Sequence, residues 1–83
     1  VVAISTGTRS ETFEAFFREA EPRLRRALIA AAGAEVGREA AAEALAYGWE
    51  HWDRVGAMEN PAGYLYRVGR SKARRWRKAP LAL

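Results

Sequence analysis

Apolar residues recur at helical spacing along three stretches of this chain, and no stretch alternates with the period of two that a strand requires. Phe13, Phe16, Phe17, Ala20, Leu24, Ala27, Leu28 and Ala31 predict a helix over residues 12–32, capped by Ser10 or Thr12 and stopped by Gly33. Pro22 falls inside it and removes a backbone donor, which predicts a bend near Glu19 or a break into two helices packed as one. Residues 34–37 have turn composition. A second helix follows over residues 38–55, with Ala41, Ala44, Leu45, Gly48, Trp52 and Val55 on one face and Trp49 packing at its border. Small residues on that face let another helix approach closely. Residues 56–59 read as a short loop anchored by Met58.

A third helix begins at Asn60, an N-cap followed by Pro61 at the first helical position, where proline's missing N–H costs nothing. At about 100° per residue, Pro61, Leu65, Val68, Gly69, Lys72 and Trp76 fall on one side; Arg67, Arg70, Arg74, Arg77 and Lys78 fall on the other. Trp76 is expected to pack, whereas Tyr64 and Tyr66 point away from the main core direction. The fold class is all-α, a small three- to four-helix bundle whose apolar faces meet at Phe16, Phe17, Leu24, Leu28, Leu45, Trp52, Leu65 and Val68. Trp52 and Leu65 are expected where the second and third helices meet. Residues 1–9 read as a mobile arm, 10–78 as the domain and 79–83 as a tail or the start of a linker.

Composition sharpens this picture at a few points. Eighty-three residues make one domain, which at this size buries roughly 60–65% of the surface its unfolded chain exposes. The absence of cysteine removes disulfides and thiolate metal sites, and one histidine cannot build a His-rich zinc site. His51 has no serine or cysteine nucleophile suggested beside it. An enzyme therefore has no supporting constellation, and neither metal nor cofactor is expected. No apolar run reaches transmembrane length, and Val1-Val2-Ala3-Ile4 lacks a charged leader; a soluble, cytoplasmic protein without membrane attachment is expected. A chain that does not begin with methionine is compatible with a fragment of a longer protein.

Charge separates the two ends of the chain. The net charge is +4, yet residues 60–83 hold seven of the fourteen basic side chains and none of the ten acidic ones. Clustered cations with interleaved aromatics suit a nucleic-acid backbone whose bases stack on the rings; a solvated face, a membrane surface or an acidic partner are the competing readings of a basic amphipathic helix. The candidate nucleic-acid-binding residues on this reading are Tyr64, Tyr66, Arg67, Arg70, Arg74, Arg75, Arg77 and Lys78. In the second helix Glu39, Glu43, Ala46 and Glu50 form an acidic stripe, which by itself reads as ordinary solubilisation of an alanine-rich helix.

Three groups taken together resemble the second conserved region of extracytoplasmic-function sigma factors. They are Thr12-Phe13-Glu14-Ala15-Phe16 with Pro22-Arg23-Leu24, then the acidic helix ending Trp49-Glu50-His51-Trp52-Asp53-Arg54-Val55, then Asn60-Pro61-Ala62-Gly63-Tyr64-Leu65-Tyr66-Arg67-Val68. The resemblance covers residues 10–78, and the last group is its most specific part. It implies an all-helical domain that docks on the clamp coiled coil of the largest catalytic subunit of core RNA polymerase. That domain binds the minus-ten element of promoter DNA as a single strand, melting it for transcription initiation. Glu39, Glu43 and Glu50 inherit the polymerase-docking role, residues 60–75 the melting and recognition role, and residues 54–59 match the segment that receives a flipped base. Asn60 and Ser71 join the candidate nucleic-acid-binding residues through this resemblance. An anti-sigma factor is a further implied partner. Two departures stand out: Glu39-Ala40-Ala41-Ala42-Glu43 replaces the family's frequent Asp-Leu-Val-Gln-Glu, and Ser71 stands where Asn, a better base reader, is common. The family's second, helix-turn-helix domain for the minus-thirty-five element is not in these residues. The alternative is a stand-alone helical adaptor that keeps the fold and binds a regulatory protein instead of promoter DNA.

Overall fold

The computed structural model describes residues 8–78, and the expectations for a mobile arm and a C-terminal tail fall largely outside them. The described residues form four helices and no strand: α1 (Arg9–Ala32), α2 (Ala34–Glu50), the single turn α3 (Trp52–Val55) and α4 (Pro61–Lys78). The expected all-α bundle is what the chain forms.

α1 starts earlier than Ser10 or Thr12. Thr8 is the cap: its hydroxyl accepts from the Glu11 N–H at 3.1 Å, and the Glu11 carboxylate accepts from the Thr8 N–H at 3.1 Å. This reciprocal box satisfies two donors that the first turn would otherwise leave open. Thr12 is then free for another task, and its hydroxyl oxygen accepts from the Trp52 indole N–H at 2.9 Å. α1 runs unbroken through Pro22, against the expected break. Ala20, Leu24 and Leu28 on either side of the proline are all buried, and that packing holds both turns in line despite the missing hydrogen bond.

The expected four-residue turn after α1 is one residue. Gly33 at φ 96° closes α1 through its N–H to the Ile29 carbonyl and opens α2 through its carbonyl, which accepts from the Gly37 N–H at 2.7 Å. Such a φ is open to glycine and strained for other residues. Gly37, read as part of a turn, belongs to α2, where a Cβ would lie 2.5 Å from the Ile29 backbone. The two helices leave this corner in backbone contact.

α2 is shorter than expected at its other end. His51 (φ −116°, ψ 30°) interrupts it, and the turn that follows brings Trp52 back onto α1. Trp52 is buried with its ring centroid 5.1 Å from Phe13 and 5.0 Å from Phe16. It therefore packs against α1 and not at the meeting of the acidic and basic helices. Leu65 does occupy that meeting: it is fully buried, and its side chain fills the space left by Gly48 of α2. Gly69 makes the matching space for Leu28 of α1.

Two aromatics expected to pack inside, Phe17 and Trp76, are not in the core, whereas Trp49, expected at the border of its apolar face, packs there against Phe13 with ring centroids 5.3 Å apart. Phe17, Trp49 and Trp76 are each about two-fifths exposed, at 40%, 39% and 39%. Trp76 lies one turn beyond Ala73, the last buried residue of α4 among the described ones, so it has passed the end of that packing. Phe17 and Trp49 lie on the outer side of the α1–α2 pair, where they line an apolar depression of about 300 Å³ with Ala42 and Ala46. Phe16 and Val68, also expected in the core, are half-buried against it.

Candidate nucleic-acid interface

The interface is built on α4 because its two faces are chemically distinct. Asn60 sets the start of the helix: its carboxamide oxygen accepts from the Gly63 N–H at 3.0 Å, and its carbonyl from the Tyr64 N–H at 3.1 Å. Pro61 takes the first helical position, as predicted. From there Leu65, Gly69 and Ala73 turn inward every four residues and are buried, and this fixes the rotation of the helix. Arg67, Arg70, Arg74 and Arg75 are consequently held outward in water.

Between this outer face and the end of α2 runs an open groove of about 680 Å³. It brings together seven of the predicted binding residues: Tyr64, Tyr66, Arg67, Arg70, Ser71, Arg74 and Arg75. Asn60 is not among its walls; it caps the helix at one end. Arg77 and Lys78 lie in the last turn of α4, and their side chains are outside the described ones. Among the described residues no acidic side chain lines the groove.

The two tyrosines differ from the expectation that both point away from the core. Each is half-buried and packs against it. Tyr66 keeps its outer edge in the groove, where its hydroxyl accepts from the Arg70 guanidinium at 3.2 Å and the guanidinium carbon stands 5.8 Å from the ring centre. Tyr64 is engaged more deeply, its hydroxyl 3.3 Å from that of Tyr47.

Tyr47 belongs to the groove and was missed in the sequence. It lies four residues after Glu43 on α2, among the polar residues of the acidic side, and the helical wheel offers no sign that this side closes onto α4. Its hydroxyl also accepts from the Arg54 guanidinium at 3.0 Å, and its ring packs at a tilt of 43° against His51 with centroids 4.3 Å apart. The hydrogen bond shared with Tyr64, followed by that from Arg54, lowers the Tyr47 pKa below the usual tyrosine value, and the same shared bond raises the pKa of Tyr64. Arg54, in turn, is raised by its bond to Tyr47. The three side chains hold the end of α2, α3 and α4 in one hydrogen-bonded corner at the groove's edge.

The acidic residues of α2 do not form a uniform stripe. Glu39 and Glu50 are exposed. Glu43 is half-buried and its carboxylate lies 3.7 Å from the Lys72 ammonium, the cation that the helical wheel puts on the packing side of α4. Lys72 also lines the groove.

The groove can hold an extended polyanion. Arg67, Arg70 and Arg74 span about 10 Å of helix at about 1.5 Å per residue, so three cations face one continuous stretch of an anionic backbone. Tyr66 offers a ring beside them for a base. No group of three or more His, Cys, Asp or Glu among the described residues is placed to hold a metal ion. Nor is any helix among them long and apolar enough to cross a membrane. No protein-family model, curated protein or solved structure matches this chain.

Proposed function

We propose that this chain is the promoter-recognition domain of a bacterial sigma factor, a cytoplasmic binding module that holds one strand of an opened minus-ten element in the α4 groove. The observation that carries the reading is the groove itself. Folding brings four outward arginines and two tyrosine edges of α4 into one channel with no carboxylate in its described walls. Double-stranded DNA presents its bases edge-on inside a stack, so rings recessed in such a channel are useful to unstacked bases and of little use to a duplex. The sequence resemblance, centred on the run from Asn60 to Val68, names the family in which that arrangement serves promoter opening.

The second half of the proposal places core RNA polymerase on α2. Glu39 and Glu50 are free to meet a basic coiled coil, and the apolar depression bordered by Phe17 and Trp49 lies on the same helix pair. Charge complementarity of this kind steers encounter and sets orientation. An anti-sigma factor would compete for the same faces.

Fluorescence anisotropy with a short labelled oligonucleotide over a series of salt concentrations tests the groove. Single strand is expected to bind better than duplex. Replacing Arg67, Arg70 and Arg74 with glutamine is expected to flatten the salt dependence by about 0.7 in slope for each phosphate that the protein no longer neutralises. Equal affinity for both forms, or an unchanged slope in the triple variant, would overturn the reading and leave the protein-binding adaptor as the alternative. Glu39→Lys with Glu50→Lys tests the docking half: undiminished binding to the isolated clamp coiled coil would remove polymerase from α2.

A further inference from the structure

Among the described cations of α4, Lys72 alone is paired with a carboxylate. Lys72 lines the groove, and its ammonium reaches Glu43 of α2, 3.7 Å away. One ion pair thus joins the groove to the acidic side of the neighbouring helix. We propose that Lys72 is a further phosphate-binding residue of the groove, restrained by Glu43, and that a cationic partner seated on α2 releases it by engaging Glu43 in its place. The inference rests on reading the groove as a nucleic-acid site and adds to it a coupling between the two faces.

The geometry makes the exchange feasible. The side chains of Lys72 and Glu43 are 23% and 36% exposed, so water screens their attraction and both can be reached by an incoming charge. Lysine's four-carbon stem and rotatable ammonium allow the charge to swing while the stem stays packed, which a planar guanidinium tied by several bonds would not do. A carboxylate already neutralising Lys72 subtracts one cation from the groove's field; a second cation beside Glu43 weakens that hold. By linkage, a single strand that captures Lys72 also leaves Glu43 more available to the partner, by the same factor. An ion pair 3.7 Å long and partly open to water is weak, so this factor is expected to be no more than about fivefold.

The experiment is the salt-dependent binding of a fluorescein-labelled, thymine-rich single strand to the whole chain. Glu43→Gln is expected to tighten binding by up to about fivefold and steepen the salt slope by about 0.7, the signature of one more phosphate neutralised. Made in a Lys72→Met background, the same change should produce neither effect. Equal gains in both backgrounds would show Glu43 acting only as a distant negative charge and would overturn the proposal. Glu43→Asp supplies an independent check, because it keeps the charge but shortens the reach: a partial gain supports release, and no gain counts against it. Circular dichroism confirms that each variant remains folded. If the triple arginine variant leaves the wild-type slope unchanged, the groove reading itself fails and takes this inference with it. If that slope falls while Glu43→Gln does nothing, the coupling alone is wrong.

Discussion

The inward and outward sides of α4 follow different rules. Inward, Leu65, Gly69 and Ala73 meet α1 and α2 through shape: Leu65 fills the space at Gly48 of α2, Gly69 receives Leu28 of α1, and among the described residues the buried set contains no polar or charged side chain. Outward, the same helix carries Arg67, Arg70, Arg74 and Arg75 and is ordered by very little, the Arg70–Tyr66 hydrogen bond being the main internal tie. The inner side makes the outer one usable. A helix clamped by close packing can hold like charges together in water, where a free peptide of this sequence would be helical only marginally.

Mutations on the inner side should therefore dominate stability. Leu65→Ala is expected to cost about 2–5 kcal/mol, much of the stability of a domain this small, and to shift the midpoint of urea unfolding accordingly. A midpoint close to wild type would mean that α4 is not held through this residue. Gly37→Ala comes next, at about 1–3 kcal/mol, because its new methyl would meet the Ile29 backbone and neither helix can give way. Gly48→Ala should be milder, since the atom it meets is the end of the Leu65 side chain.

The cap lies between the two regimes. Asn60→Ala should cost about 0.5–2 kcal/mol by freeing the Gly63 N–H, whereas Asn60→Asp keeps an acceptor there and should retain stability. If Asn60 also touches DNA, the aspartate variant will bind a single strand more weakly while melting normally; equal binding would confine it to capping. On the outer side, Arg67→Gln, Arg70→Gln and Arg74→Gln together should move thermal stability least, since isolated surface changes usually stay within about 0.5 kcal/mol each. A large loss of stability would blur the contrast between the two sides.

The smallest effect sharpens the groove's edge. Tyr64→Phe removes the bond that lowers the Tyr47 pKa most, so Tyr47 should ionise at a higher pH in that variant. Ultraviolet absorbance during alkaline titration follows it. No change would mean that Arg54 alone sets the Tyr47 environment.

The helices themselves were legible because their information is periodic and local. Asn60-Pro61 announced the start of α4, and Leu65 and Val68 oriented its faces. The interruption at His51 was not legible, because nothing local forbids α2 from continuing; the turn follows from Trp52 finding Phe13, Phe16 and the Thr12 hydroxyl some forty residues away in sequence. The same holds for the site. Arginines at i, i+3 and i+7 can be placed on one face from spacing alone, whereas Tyr47 enters the groove, and Lys72 meets Glu43, only through the docking of α2 on α4. Trp76 misled for a related reason. A helical wheel gives the direction of a residue but not how far along its axis a helix remains covered.

The corner at Gly33 also decides where this chain tolerates being cut or lengthened. With a single residue between α1 and α2, an inserted residue cannot be absorbed as slack; it would rotate α2 by about 100° and turn Ala40, Ala41 and Ala44 out of the interface. The exposed stretch around Gly56, Ala57 and Glu59 has no such phase to keep. New termini or a fused reporter placed there should leave the three long helices assembled, while the same graft at Gly33 would separate them.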